Sequence, residues 1–369
     1  MALFWLLFLI KFATGSADLL RFSLHPTFVG LKVGTPPALL WPQFNTDIPH
    51  TWIGVTKCTL NNSCSSKIGG YSPITSSTAK FNGTDECADE LQFPNSTPPL
   101  KQFKFRAVPK GLGIDAEIGL SPDTMSSPFS FVKQAMNAGI ISKPEATIRY
   151  DPCGLERNKC KRHDEIVFGG ADTENCATDG QPLQLEKDEK QWEFEVVDYS
   201  FVYNATTSSS FGERVMQKIS TAFSSVVKFI SHIFSPSSQS YSKAQNSTKL
   251  TIYFNHTRQN TQLPNYLQQK LFEVTGLPFY TNYVNIPCGD QFQFKFKLRD
   301  SKNTTVEWTL NKEDFMPLRI MPANECLLYI KGTDSSVDNQ IQLDASIFRS
   351  ACVHYDFEKR EMTLNRRVK

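Results

Sequence analysis

Along most of the chain apolar and polar residues alternate in short runs. "FVGLKV" (28–33), "FKFRAV" (103–108), "EIVFGG" (165–170), "WEFEVV" (192–197), "LTIYFN" (250–255), "FQFKFKL" (292–298) and "CLLYIKG" (326–332) are alternating or aromatic-rich, and Gly, Pro, Asn and Ser interrupt them. Side chains of a strand point to opposite faces in turn, so this period of two predicts half-buried strands and an all-β chain, mostly β with a few short helices. Helical periodicity is confined to "SPFSFVKQAMNAG" (127–139) and "LPNYLQQKLFEVTG" (263–276), each closed by glycine. A third segment is longer. In 212–234, Met216, Ile219, Phe223, Val226, Ile230 and Ile233 recur three or four residues apart, opposite Lys218, Ser225, Lys228 and His232. That pattern predicts an amphipathic helix packed on its own lobe; a partner-binding or lipid-surface helix has the same stripe.

The ends and the punctuation of the chain refine this picture. Residues 1–10 are apolar, Lys11 ends the run, and Ala13 to Ala17 are small apart from a threonine, so 1–17 is read as a signal peptide and the product as secreted and extracellular. Ten apolar residues are too few to span a bilayer. Seven Asn-x-Ser/Thr sequons fit that compartment; Asn61, Asn82, Asn95, Asn246 and Asn303 stand in polar, turn-like surroundings and are the expected glycosylation sites, ahead of Asn204 and Asn255. The nine cysteines show no metal-binding spacing and are read as disulfides, with at least one left over and Cys153–Cys160 a candidate local bridge. The remaining length is too great for a single compact core and predicts two β lobes, 18–180 and 181–369, with a helical and low-complexity insertion at about 205–248 in the second.

Charge and composition exclude more than they identify. The formal net charge is +2, and the one basic run, "CKRH" at 160–163, reads as a solvated loop, so no nucleic-acid partner is expected. The chain has no GxSxG, HExxH or P-loop, and its six histidines are not at metal-ligand spacings; neither metal nor cofactor is expected.

Several motifs, in order, resemble the pepsin-like aspartic proteases (peptidase family A1): "VGTPP" (33–37), "FNTDIPHTWIG" (44–54), "CTLNNSC" (58–64), "YSPITSSTAKFNGT" (71–84), "IDAEIGLSP" (114–122), "NAGIISKP" (137–144), "EIVFGGAD" (165–172), "WEFEVV", "LPNYLQQKLFEVTG", "IPC" (286–288) and the closing "SIFRSACVHYDFEKREMTL" (346–364). The resemblance covers about residues 22–365. It implies a bilobal acid-protease fold with a cleft between lobes, one Asp-Thr-Gly loop from each lobe, and bridges Cys58–Cys64 and Cys288–Cys326. Cys87, Cys176 and Cys352 remain unassigned.

The two loops depart from that family where its chemistry resides. Two neighbouring carboxylates share a proton, one activating water while the other polarises the scissile carbonyl. In the first loop the aspartate falls on Asn45, followed by Thr46, Asp47 and Ile48. In the second, the resemblance implies a loop about nine residues before a proline that opens a helix, which from Pro264 places the aspartate position at Asn255 and the glycine position at Thr257. An amide has no such proton to give and is no base, so both catalytic positions are read as degenerate. The 18 residues Asp85 to Gln102 lack the Tyr-Gly pair of the family's flap, about 15 residues before "VGTPP" are too few for its prosegment, and Asp344 replaces a glycine of the closing motif. The expectation is a proteolytically inactive homologue that binds an unidentified peptide or protein, with Phe44, Thr46, Asp47, Trp52, Phe254, His256 and Thr257 lining the groove. Two alternatives stand beside it: an atypical active aspartic endopeptidase using Asp47 with a distant carboxylate, and a lipid-surface or assembly protein acting through 212–234.

Overall fold

The computed structural model describes residues 19–24, 28–55, 71–81, 85–93, 97–109, 115–150, 164–205, 249–256, 260–275, 279–280, 283–316, 325–332 and 339–368. The expected leader 1–17, the helix 212–234, the bridges Cys58–Cys64 and Cys153–Cys160, the sequons at Asn61, Asn82, Asn95 and Asn246, and Thr257 lie outside the described residues.

The described chain is mostly β, as the alternation predicts. Two large sheets share one strand topology. In the sheet built from the first half, Gln43–Asn45 runs parallel to Ala116–Gly119, which pairs antiparallel with Trp52–Val55, which runs parallel to Leu100–Pro109. In the sheet built from the second half, Thr251–Phe254 runs parallel to Gln340–Leu343, which pairs antiparallel with Thr261–Leu263, which runs parallel to Ile330–Gly332. The registers superimpose position by position. Trp52 opposite Glu117 corresponds to Gln262 opposite Gln342, and Phe44 opposite Ile118 corresponds to Phe254 opposite Leu343. One step along, Asn45 corresponds to Asn255 and Gly119 to Asp344.

A six-stranded sheet joins the two halves. Its order is Leu20–Ser23, Glu165–Phe168, Glu145–Arg149, Cys352–Asp356, Glu361–Asn365, Pro182–Gln184, so a hairpin from each half meets at its centre. Glu145–Arg149, an interior strand of this sheet, is buried at every position and shows no alternation. Phe22 and Phe168 of this sheet pack with Phe44 and Phe131, ring centroids 5.1–6.4 Å apart. Each fully buried ring contributes about 1.5–3 kcal/mol by removal from water, which makes this cluster a main source of the fold's stability.

The helices follow their sequence signals. Ser130 caps helix Phe131–Asn137 by accepting from the Lys133 backbone N–H, and Gly139 at φ 70° ends it in a conformation that side chains other than glycine's resist. Helix Asn265–Thr275 buries Leu267 and Leu271, while Lys312–Phe315 and Ala345–Ser350 are one-turn and two-turn elements. The stretch Asp85–Gln102, which lacks a Tyr-Gly pair, lies in a hairpin in which Glu86–Gln92 pairs with Leu100–Pro109; the tip at 94–96 is outside the described residues.

Two disulfides are formed among the described residues. Cys288–Cys326 is the pairing implied by the resemblance, and Cys176–Cys352, left open by the sequence, ties the end of the first half to the six-stranded sheet. Cys87 is a buried free thiol, and burial pushes its pKa up to about 11.

Candidate functional site

The repeated strand unit determines what meets at the centre. The strands ending at Asn45 and Phe254 each deliver a short loop, and the loops touch: the Thr46 hydroxyl donates to the Phe254 carbonyl at 3.2 Å, and Asn255 Nδ2 donates to Asp47 Oδ2 at 3.1 Å. Further bonds cross nearby. Trp192 Nε1 donates to the Leu120 carbonyl at 2.9 Å, and the Tyr150 hydroxyl donates to the His256 carbonyl at 3.2 Å.

Each asparagine is held by a carboxylate of the first half. Asn45 Nδ2 donates to Glu117 Oε2 at 3.2 Å, the Trp52 indole N–H donates to the same oxygen at 2.8 Å, and Asn45 Oδ1 accepts from the Asp47 backbone N–H at 2.8 Å. Asn255 is buried, and its Nδ2 is shared between Asp47 and the Tyr253 hydroxyl at 3.3 Å. An NH₂ group has two hydrogens, so these two contacts use the donor capacity of Asn255. Asn45, Asp47, Trp52 and Glu117 are half-exposed, as are Ile48, Pro49 and His50 of the first loop, while Asp47 Oδ1 itself is buried.

Four of the residues expected to line a groove do not. Phe44, Thr46, Phe254 and His256 are fully buried. The reason is the period of two: with Asn45 on the outer face of its strand, Phe44 must face the core, where it packs on Phe22 and Phe168, and Phe254 likewise packs on Phe194. Asp47 and Trp52 are half-exposed, although Asp47 Oδ1 is buried. Glu117, Tyr253, Tyr150 and Trp192, which complete the site, carry no local signal in the sequence; only the register of Trp52 against Glu117 singles one of them out.

The electrostatics are set by burial. His256 is pushed down to about 3 by desolvation, with the Phe44 backbone opposing the shift, yet neither ring nitrogen makes a hydrogen bond of normal geometry among the described residues. Asp344, opposite Asn255 in the repeat, is fully enclosed and pushed up to about 6 by desolvation; it accepts from the Thr261 hydroxyl at 2.8 Å and the Ser346 backbone N–H at 3.0 Å. His50 is lowered by burial and by Arg106, against the pull of Glu117. Two carboxyl groups close enough to share a proton do not occupy the paired loop positions; an amide stands at each.

Among the described residues, no group of three or more His, Cys, Asp and Glu side chains could hold a metal ion. No helix of these residues is long and apolar enough to cross a membrane. Away from the site, a cavity of about 230 Å³ is walled by Gln184, Glu186, Glu189, Glu193, Glu195 and Arg299, among others. Comparison with protein-family models and with curated proteins finds no match.

Proposed function

We propose that the chain is a secreted, pepsin-like, bilobal protein without proteolytic activity that binds a peptide or protein ligand at the junction of its two loops. The observation that carries this reading is the repeated four-strand unit presenting Asn45 and Asn255 at equivalent positions, one in each half. Aspartic-protease chemistry needs an acid and a base at those two positions, and amides supply neither near neutral pH. The half-exposed residues there are Trp52, Asp47, Asn45 and Glu117, one aromatic and three polar side chains suited to holding a peptide backbone and side chain, with Asp47 Oδ1 itself buried. The order of family-like motifs and the bridge Cys288–Cys326 support the same assignment.

The reading makes two measurable claims. The purified mature chain leaves a denatured protein substrate uncut from about pH 3 to 7, and inhibitor-sensitive cleavage in that range overturns the reading. In a peptide-array binding assay, Asp47→Ala and Trp52→Ala each weaken retention about tenfold, the effect of losing one buried polar or aromatic contact. Unchanged retention in both variants removes the binding site from this junction.

One observation favours the second reading, an atypical endopeptidase. Asp47, two positions after Asn45, has its carboxylate 3.1 Å from Asn255. On that reading Asp47→Ala abolishes turnover, whereas on the main reading there is no turnover to lose. The lipid-surface reading rests on 212–234, and its test is liposome flotation with and without that segment.

A further inference from the structure

We infer that Asn303 is an N-glycosylation site carried by the folded protein, and that the sequon at Asn255 is left unmodified. This is independent of whether the loop junction binds or cuts.

A glycan that the folded chain carries needs an asparagine amide open to solvent and room for the attached oligosaccharide, which surface turns provide. Asn303 and Thr305 are both exposed. They sit at the tip between strands Gln291–Arg299 and Thr305–Asn311, where the chain reverses. Asn303 adopts φ 64°, a left-handed conformation that asparagine tolerates better than most residues. The tip is also firmly built. Asp300 Oδ1 accepts from the backbone N–H groups of Lys302 at 2.9 Å and Thr304 at 2.6 Å, Asp300 Oδ2 accepts from that of Gln184 at 2.9 Å, and the Asn303 N–H closes the turn on the Asp300 carbonyl at 3.1 Å. The side chain of Asn303 therefore projects from a fixed platform into solvent.

Asn255 has the opposite setting. It is 1 % exposed, and the nitrogen that a glycan would be joined to is bonded to Asp47 and Tyr253. A glycan there would separate the two loops and break the Thr46 contact to Phe254, so a modified chain could not close into this structure.

The test is site-resolved mass spectrometry of the full chain secreted from cells that perform N-glycosylation. Release of glycans by an amidase in heavy-oxygen water converts each occupied asparagine to labelled aspartate. The expected result is label at 303 and none at 255. Thr305→Ala should remove the label while leaving Asn303 and its backbone in place, and the folded protein should lose the mass of one glycan. A 303 that stays unlabelled when a foreign leader directs the chain, a labelled 255, or secretion of Thr305→Ala at unchanged mass each overturns the inference. Directing the same chain with a foreign leader separates failure of its own leader, which restores the label at 303, from failure of the site, which does not.

Discussion

The two four-strand units solve one packing problem in two ways. In the first, Gly119 stands beside Asn45, and the backbone of the following loop presses against it: a Cβ there would lie 2.4 Å from the Ile48 carbonyl oxygen and 2.6 Å from the His50 nitrogen. In the second, the equivalent position is Asp344, and its carboxyl gathers the hydroxyls around it. Thr261 donates to Asp344, and its oxygen lies 3.1 Å from the Ser346 hydroxyl. The counterparts of those two residues in the first unit are Thr51 and Ser121, whose buried hydroxyls meet no partner among the described residues. A single topology thus tolerates either a tight backbone approach at glycine or a buried acid that serves its neighbours' hydroxyls. What is interchangeable is the strand pattern; what is not interchangeable is the space beside it.

Exchanging the two solutions gives the largest effect. Gly119→Asp forces a side chain into occupied backbone space, which is expected to cost about 4 kcal/mol or more, or to abolish folding, in denaturant unfolding. The comparison fails if that variant unfolds within about 1 kcal/mol of the parent.

The next two effects oppose each other in pH. Burial raises Asp344 to about 6 from the ordinary aspartate value of 3.8, so its contribution is fully present below 3.8 and is lost as pH rises through 6. Asp344→Asn should therefore remove about 2–3 kcal/mol of the parent's gain between pH 8 and pH 4, measured as the difference in urea unfolding free energy. His256 is depressed to about 3 from 6.5, so its contribution is present above 6.5 and is lost as pH falls toward 3. His256→Thr, which copies Thr46 of the first unit, should reduce the parent's loss between pH 7.5 and pH 5 by about 2 kcal/mol. A parallel pH profile for either variant and the parent would show that the group is not the one titrating.

The smallest effect tests the contact between the loops. Thr46→Ala deletes the hydroxyl bonded to the Phe254 carbonyl and should lower stability by about 1–2 kcal/mol. A neutral Thr46→Ala would mean that the two loops lie side by side without supporting each other.

Which of these features the sequence reveals depends on how local their cause is. The strands in "FQFKFKL" and "LTIYFN" and the helices after Ser130 and Pro264 are visible because alternation, capping and glycine stops act within a few residues. The inward face of Phe44 follows from Asn45 on the outer face of its strand, a step the groove expectation for Phe44 and Phe254 passes over; around Phe254 the alternation is lost, because Tyr253 and Asn255 are buried as well. The repeated unit is not legible. Its parallel pairings join Asn45 to Gly119 and Phe254 to Leu343, and nothing near either residue encodes the partner. Glu117 is hidden for the same reason, since "DAEIG" shows only a polar strand position. Cys176 and Cys352 are 176 residues apart, a separation at which spacing says nothing about pairing.

That last bridge makes the chain a closed ring from 176 to 352, and the ring contains the whole second unit and the segment 206–248. A single cut anywhere inside the ring produces two polypeptides but not two molecules. A nicked chain would run as one species on a non-reducing gel and fall apart only when reductant is added. The protein can lose the continuity of its backbone and keep its halves together.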